Sequence, residues 1–135
     1  MLLRRCLVCD EIHKIMTFDK GIIQSVWDKA LQVEGFDPSM FRKDPCGAWM
    51  VFNKYGLRDN PFGWEIDHVY PAALGGDNDL RNLRAMHWRN NASKGDDYPS
   101  YIARVTSDGN KNTECYKSHT VNATLRAFIK NKYNR

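Results

Sequence analysis

The stretch Gly63-Trp64-Glu65-Ile66-Asp67-His68-Val69-Tyr70-Pro71 decides how this chain is read. Apolar and polar side chains alternate from Trp64 until a proline stops the pattern, which predicts a β-strand. Gly75-Gly76-Asp77-Asn78 reads as a loop, and Leu80-Arg81-Asn82-Leu83-Arg84-Ala85-Met86 can return as a second strand. Trp88 to Lys94 lacks β-branched residues and closes on Gly95, which suits a helix of about two turns.

This strand, loop, strand and helix would gather a small chemical set. Asp67 and His68 stand side by side, and two amides, Asn82 and Asn91, follow 14 and 23 residues after His68. Asp67 offers an anionic hard oxygen and Asn91 a neutral one, both suited to Mg²⁺ or Mn²⁺. An imidazole with an unperturbed pKa near 6.5 suits a general base for water at neutral pH. Neighbours in an ideal strand point to opposite faces, so the strand must bend or end at His68, and Pro71 just downstream fits that. The Asn82 amide can both donate and accept within the loop, fixing His68.

Asp67-His68, Gly75-Gly76, Asn82-Leu83 and Asn91 with Lys94 together resemble the motif of HNH endonucleases, the ββα-metal nuclease fold. The resemblance implies that Asp67 and Asn91 hold the metal, His68 activates water and Asn82 holds the loop. It also implies hydrolysis of a DNA phosphodiester to 5′-phosphate and 3′-hydroxyl ends. Residues 42–63 look like the approach to this motif in phage and bacterial HNH proteins. Many HNH proteins flank the motif with two C-x-x-C pairs that bind structural zinc, and here Asn90 stands where one such cysteine often falls. Packing of Trp64, Ile66, Leu83, Met86 and Trp88 would then have to hold the motif. With Asn91 rather than histidine as the last ligand, Mg²⁺ is favoured over Zn²⁺.

Outward from this centre, Asp19 is an N-cap candidate for a helix carrying Ile22, Ile23, Val26, Trp27, Ala30 and Leu31 at helical intervals and ending near Glu34-Gly35. Ala48 to Phe52 reads equally as a strand or a short helix. Tyr101–Val105 and Thr113–Tyr116 flank Ser107-Asp108-Gly109-Asn110 as a hairpin candidate, and Val121, Leu125, Phe128 and Ile129 mark a terminal helix. The expected fold is α+β: a ββα-metal motif in one small domain, with an N-terminal helical region (1–41), a nuclease core (42–97) and a basic hairpin plus helix (98–135).

Twenty basic against 16 acidic residues give +4, concentrated after residue 97, which fits a polyanion partner. Lys94, Arg84, Arg89, Lys130 and Lys132 are the candidates for DNA contact. Glu65 shares a strand face with Asp67 and reads as a solvated carboxylate, while His87 reads as structural or a phosphate contact. Cys6-Leu7-Val8-Cys9 is one C-x-x-C pair without a second, so structural zinc is not expected and the thiols read as reduced. The start shows no secretory pattern and no apolar run suggests a membrane span, so an intracellular, unexported protein is expected. No small-molecule cofactor is expected. The competing class is a catalytically silent DNA-binding or zinc-stabilised interaction module of the same shape.

Overall fold

The computed structural model describes residues 17–134. Helix α1 (Lys20–Trp27) starts where the sequence places it, with the Asp19 carboxylate accepting from the Ile22 N–H at 2.8 Å. It stops at Trp27, well short of Glu34. The groups that would extend it are spent on the next hairpin. Arg42 Nη1 donates to the carbonyls of Asp28 and Ala30, each at 3.0 Å, and Leu31 pairs as an isolated bridge with Lys43.

Strands β1 (Phe41–Lys43) and β2 (Trp49–Val51) pair antiparallel, and a 3₁₀ turn over Phe52–Lys54 follows directly. The ambiguous segment is therefore a strand and a helical turn in succession. Strands β3 (Trp64–His68) and β4 (Leu83–His87) pair antiparallel with Asp67 opposite Arg84 and His68 opposite Leu83. Helix α2 (Trp88–Lys94) leaves β4 without a connecting loop and ends at Gly95. A long hairpin of β5 (Ser100–Asp108) and β6 (Lys111–Thr120) extends beyond its expected limits, and α3 (Ala123–Tyr133) closes the described chain.

Every residue of β3 is buried, although its sequence alternates. The reason is that the β3–β4 hairpin is covered on both faces. Trp64, Ile66, Leu83 and Ala85 pack on Val26 and Trp27 of α1 and Met50 of β2. Met86 belongs to a second core with Tyr70, Tyr101, Ala103, Val121 and Ile129. The Trp27 and Trp64 rings lie 5.0 Å apart and are fully buried. Each such ring contributes roughly 4–6 kcal/mol as an upper bound from its buried area. No helix among the described residues is long and apolar enough to cross a membrane.

Candidate active site

The loop between β3 and β4 is bolted by one buried side chain. Asn82 Nδ2 donates to the carbonyls of Tyr70 and Asp77, both at 3.1 Å, and its Oδ1 accepts from the Tyr70 N–H at 2.8 Å. The Asn82 carbonyl accepts from Val69 N at 2.9 Å. Gly76 sits against the same bolt. A Cβ there would lie 1.8 Å from the Tyr70 carbonyl oxygen and 3.0 Å from Asn82 Nδ2, so no larger residue fits. The amide thus does for the loop what its sequence position suggested.

His68 is the last residue of β3, and the regular strand ends there as the geometry of adjacent side chains requires. Its Nε2 lies 2.7 Å from Asn78 Oδ1, and the Phe18 ring is 6.1 Å away. With the Asn78 oxygen as acceptor, Nε2 carries the proton and Nδ1 is left as the basic nitrogen. Asn78 lies in a loop with no local periodicity, and no sequence signal marked it beyond its place before Asn82.

The face of β3 turned to α2 differs from expectation. Glu65 is 1% exposed rather than solvated. Arg58 grips it with two hydrogen bonds, Nε to Oε2 at 2.6 Å and Nη2 to Oε1 at 2.8 Å, and Asn91 Nδ2 donates to Oε1 at 2.9 Å. Asn91 therefore meets Glu65 directly. Asp67 is engaged by two cations, Arg84 Nε at 3.0 Å from Oδ2 and Lys94 Nζ at 3.3 Å from Oδ1. Lys94 also donates to the His68 carbonyl at 3.1 Å. Burial lowers the Lys94 pKa, with the Asp67 charge opposing that shift.

Two expected DNA contacts are corrected by this arrangement. Lys94 is buried, and Arg84 has a side chain only 14% exposed, so neither is a surface phosphate contact. Both sit between packed elements because Asp67 opposite Arg84 would otherwise be a buried unpaired carboxylate. Of the remaining candidates, Arg89 pairs with Glu114 at 3.1 Å, and Lys132 pairs with Asp79 at 2.6 Å and Asp77 at 3.1 Å. Lys130 is exposed. Cys6 and Cys9 lie outside the described residues.

A second polar cluster, absent from the sequence reading, ties the motif to its surroundings. Asp44 is fully buried, and its Oδ1 accepts from the Cys46 and Ala48 N–H groups at 2.8 and 2.9 Å. Its Oδ2 accepts from His87 N at 3.1 Å and Asn90 Nδ2 at 3.0 Å. Asn90 Nδ2 donates also to the Val105 carbonyl at 2.9 Å, while its Oδ1 accepts from Arg104 and Val105 N–H groups at 2.8 and 2.9 Å. Apolar packing is thus not the motif's sole support. His87 is structural: its Nδ1 accepts from Arg89 N at 3.1 Å and its Nε2 donates to the Pro61 carbonyl at 2.8 Å. Trp88 is only partly buried.

The fold and its placed groups define a small α+β protein built around an antiparallel hairpin, a locked loop and a short helix, the ββα-metal arrangement. A family model described as HNH endonuclease matches residues 57–100. The chain is also 33% identical over 67 residues to the CRISPR-associated endonuclease Cas9 of Staphylococcus aureus, a match covering 49% of this chain and 6% of that protein. The central segment thus matches the HNH endonuclease family model, and the chain spans about a sixteenth of the length of that relative. No solved structure matches the chain significantly.

Proposed function

We propose that this chain is a metal-dependent endonuclease that hydrolyses DNA phosphodiester bonds, with His68 as general base. The observation that carries the reading is the His68 imidazole held through Nε2 by Asn78, at the mouth of a loop that Asn82 locks. In this tautomer Nδ1 can take a proton from a water attacking phosphorus. Asn82 and Gly76 hold the ring's approach without touching the reacting atoms.

Among the described residues no three His, Cys, Asp or Glu side chains cluster as a metal site. By type, the Asp67 carboxylate and the Asn91 amide oxygen are hard donors whose chemistry suits Mg²⁺ or Mn²⁺, although the Asn91 contact in this structure is made by its amide nitrogen, to Glu65. These residues would hold the ion. Bound there, it would supply polarisation of a phosphate oxygen and stabilisation of charge on the leaving group. Direct coordination by Asp67 requires it to give up contact with Arg84 or Lys94, because both its oxygens are engaged.

That double engagement favours the competing reading, a silent DNA-binding module. A supercoiled-plasmid assay with Mg²⁺, Mn²⁺, Zn²⁺ or EDTA separates the two. The expected result is metal-dependent cutting that His68→Ala lowers at least roughly 10²-fold while DNA binding stays near parental. Equal cutting by that variant refutes the base, and no cutting with any metal refutes the enzyme.

A further inference from the structure

Helix α3 packs on the core through Leu125, Phe128 and Ile129. Ala123, Arg126, Ala127 and Lys130 recur at helical spacing on another side of it, and all four are exposed. With Tyr98 and Pro99, just ahead of β5, they line an open groove of about 420 Å³. Two cations and no carboxylate are among the lining residues. Asp96 and Asp97 precede Tyr98 without lining the groove, and no Asp or Glu occurs from Val121 to Arg135.

The two walls are joined to each other. Val121 N donates to the Pro99 carbonyl at 2.9 Å, and Arg126 Nε donates to the Val121 carbonyl at 2.8 Å. Tyr98 is set edge-on against Tyr70, with ring centroids 5.3 Å apart. The Nε bond steadies the Arg126 guanidinium but uses only one of its five N–H groups, so the outer fork stays open to an oxyanion. Lys130 makes no ion pair or hydrogen bond with any described residue. Lys132 on the same helix differs, because it is spent on Asp77 and Asp79.

The groove adjoins the loop that carries the proposed base. Three residues after Lys130, the Tyr133 hydroxyl donates to Asp77 Oδ1 at 2.6 Å. The next residue of that loop, Asn78, holds His68 Nε2. Arg126 and Tyr133 are seven residues apart, about 10 Å along the helix axis.

We propose that this groove seats two neighbouring phosphates of the DNA strand that runs past His68, with the Arg126 fork on one and Lys130 on the next. The two cations stand four residues apart, about 6 Å along the helix, on the scale of one step between phosphates. Ala123 and Ala127 keep the floor low enough for a backbone to approach, and Tyr98 and Pro99 face the sugar. Such contacts set position and carry no base specificity. Helix α3 lies beyond residues 57–100, which the family model covers, so the contact is an addition to the motif. DNA as the occupant, rather than an acidic protein, rests on the nuclease reading.

The test compares Ala127→Glu with Thr124→Glu, which makes the same charge change at an exposed position of α3 outside the groove. Binding of a short fluorescein-labelled DNA duplex is measured by anisotropy in EDTA over a range of salt. Ala127→Glu should bind at least about tenfold more weakly than the parent, and Thr124→Glu less than about threefold more weakly. Arg126→Gln/Lys130→Gln should flatten the slope of log K against log salt by about 2, roughly one per phosphate. Lys130→Gln alone, which removes no contact of the folded protein, should flatten it by about 1.

Equal weakening by Ala127→Glu and Thr124→Glu overturns the proposal, as does an unchanged salt slope in Lys130→Gln or a parent that binds no duplex. Polyglutamate that binds the parent more tightly than the duplex does, and loses that advantage in Ala127→Glu, overturns DNA as the occupant. A parent that binds duplex in the expected way but never cuts it sinks the nuclease reading alone, because no arm of the test needs turnover.

Discussion

Removing Asp44 should cost this protein a large part of its stability, although the residue lies outside the segment that matches the HNH family. Its carboxylate is fully buried and accepts four hydrogen bonds, from Cys46 N, Ala48 N, His87 N and Asn90 Nδ2. Asp44→Ala strands all four donors in a dry interior. A buried donor without an acceptor costs roughly 1–3 kcal/mol, and water entering the new space offsets some of that. At about 1 kcal/mol per donor the loss is about 4 kcal/mol, against a typical total of roughly 5–15 kcal/mol. With a urea slope of about 2 kcal/mol per molar, the unfolding midpoint should fall by about 2 M. Asp44→Asn keeps shape and volume but must turn an NH₂ toward some of those donors, so it should recover only part of the loss. Circular dichroism during urea unfolding reads both variants, and a double-mutant cycle with Asn90→Ala should return a coupling above about 1 kcal/mol. An Asp44→Ala midpoint within about 0.5 M of the parent at unchanged slope, or strict additivity with Asn90→Ala, would refute the reasoning.

Two further outcomes follow from the loop and from His87. Gly76→Ala places a methyl 1.8 Å from the Tyr70 carbonyl oxygen, so the loop must open. The expected loss exceeds about 3 kcal/mol, read as a lowered thermal midpoint, and near-parental melting would show that the loop yields freely. Burial holds the His87 pKa below its ordinary value, so the folded protein keeps this ring neutral where the unfolded chain protonates it. Its contribution is therefore full above the unfolded value of 6.5 and declines as pH falls from there toward the lower folded value. Protonation also removes the Nδ1 acceptor that caps α2 at Arg89 N. Between pH 7.5 and 5.5 the parent's urea midpoint should fall more steeply than that of His87→Gln. Parallel curves would remove His87 from the acid response.

The motif itself was legible because its signals are local. Alternation to a proline, a glycine pair, and a helix closed by Gly95 each depend on residues a few positions apart, and β3 and α2 formed where those signals stood, whereas the second strand, expected from Leu80, begins only at Leu83 because Leu80–Asn82 closes the loop as a 3₁₀ turn. An amide at Asn82 able to reach its own loop was legible too, although Asn82 ends the 3₁₀ turn before β4 rather than lying in the strand. Helix α1 was over-extended because its end is set by Arg42 and Lys43, residues from the following hairpin. The alternating strand β3 suggested one wet face, but α2 packs on it and Arg58, Arg84 and Lys94 pair with its carboxylates, and a strand cannot announce its far-side neighbours.

The order of chemical groups along the chain, and their assembly into hairpin and short helix, follow from residue types within short reach of one another. Tertiary structure alone determined the state of the charges. Glu65, Asp67, Arg58, Arg84 and Lys94 are ordinary surface residues by type, yet folding brings them into ion pairs on the covered face of β3. The Asp44–Asn90 cluster likewise exists only after segments 46 residues apart have met. Water screens such groups in the open chain; packing removes the water, and each buried charge or amide must then find its partner from whichever element the fold delivers.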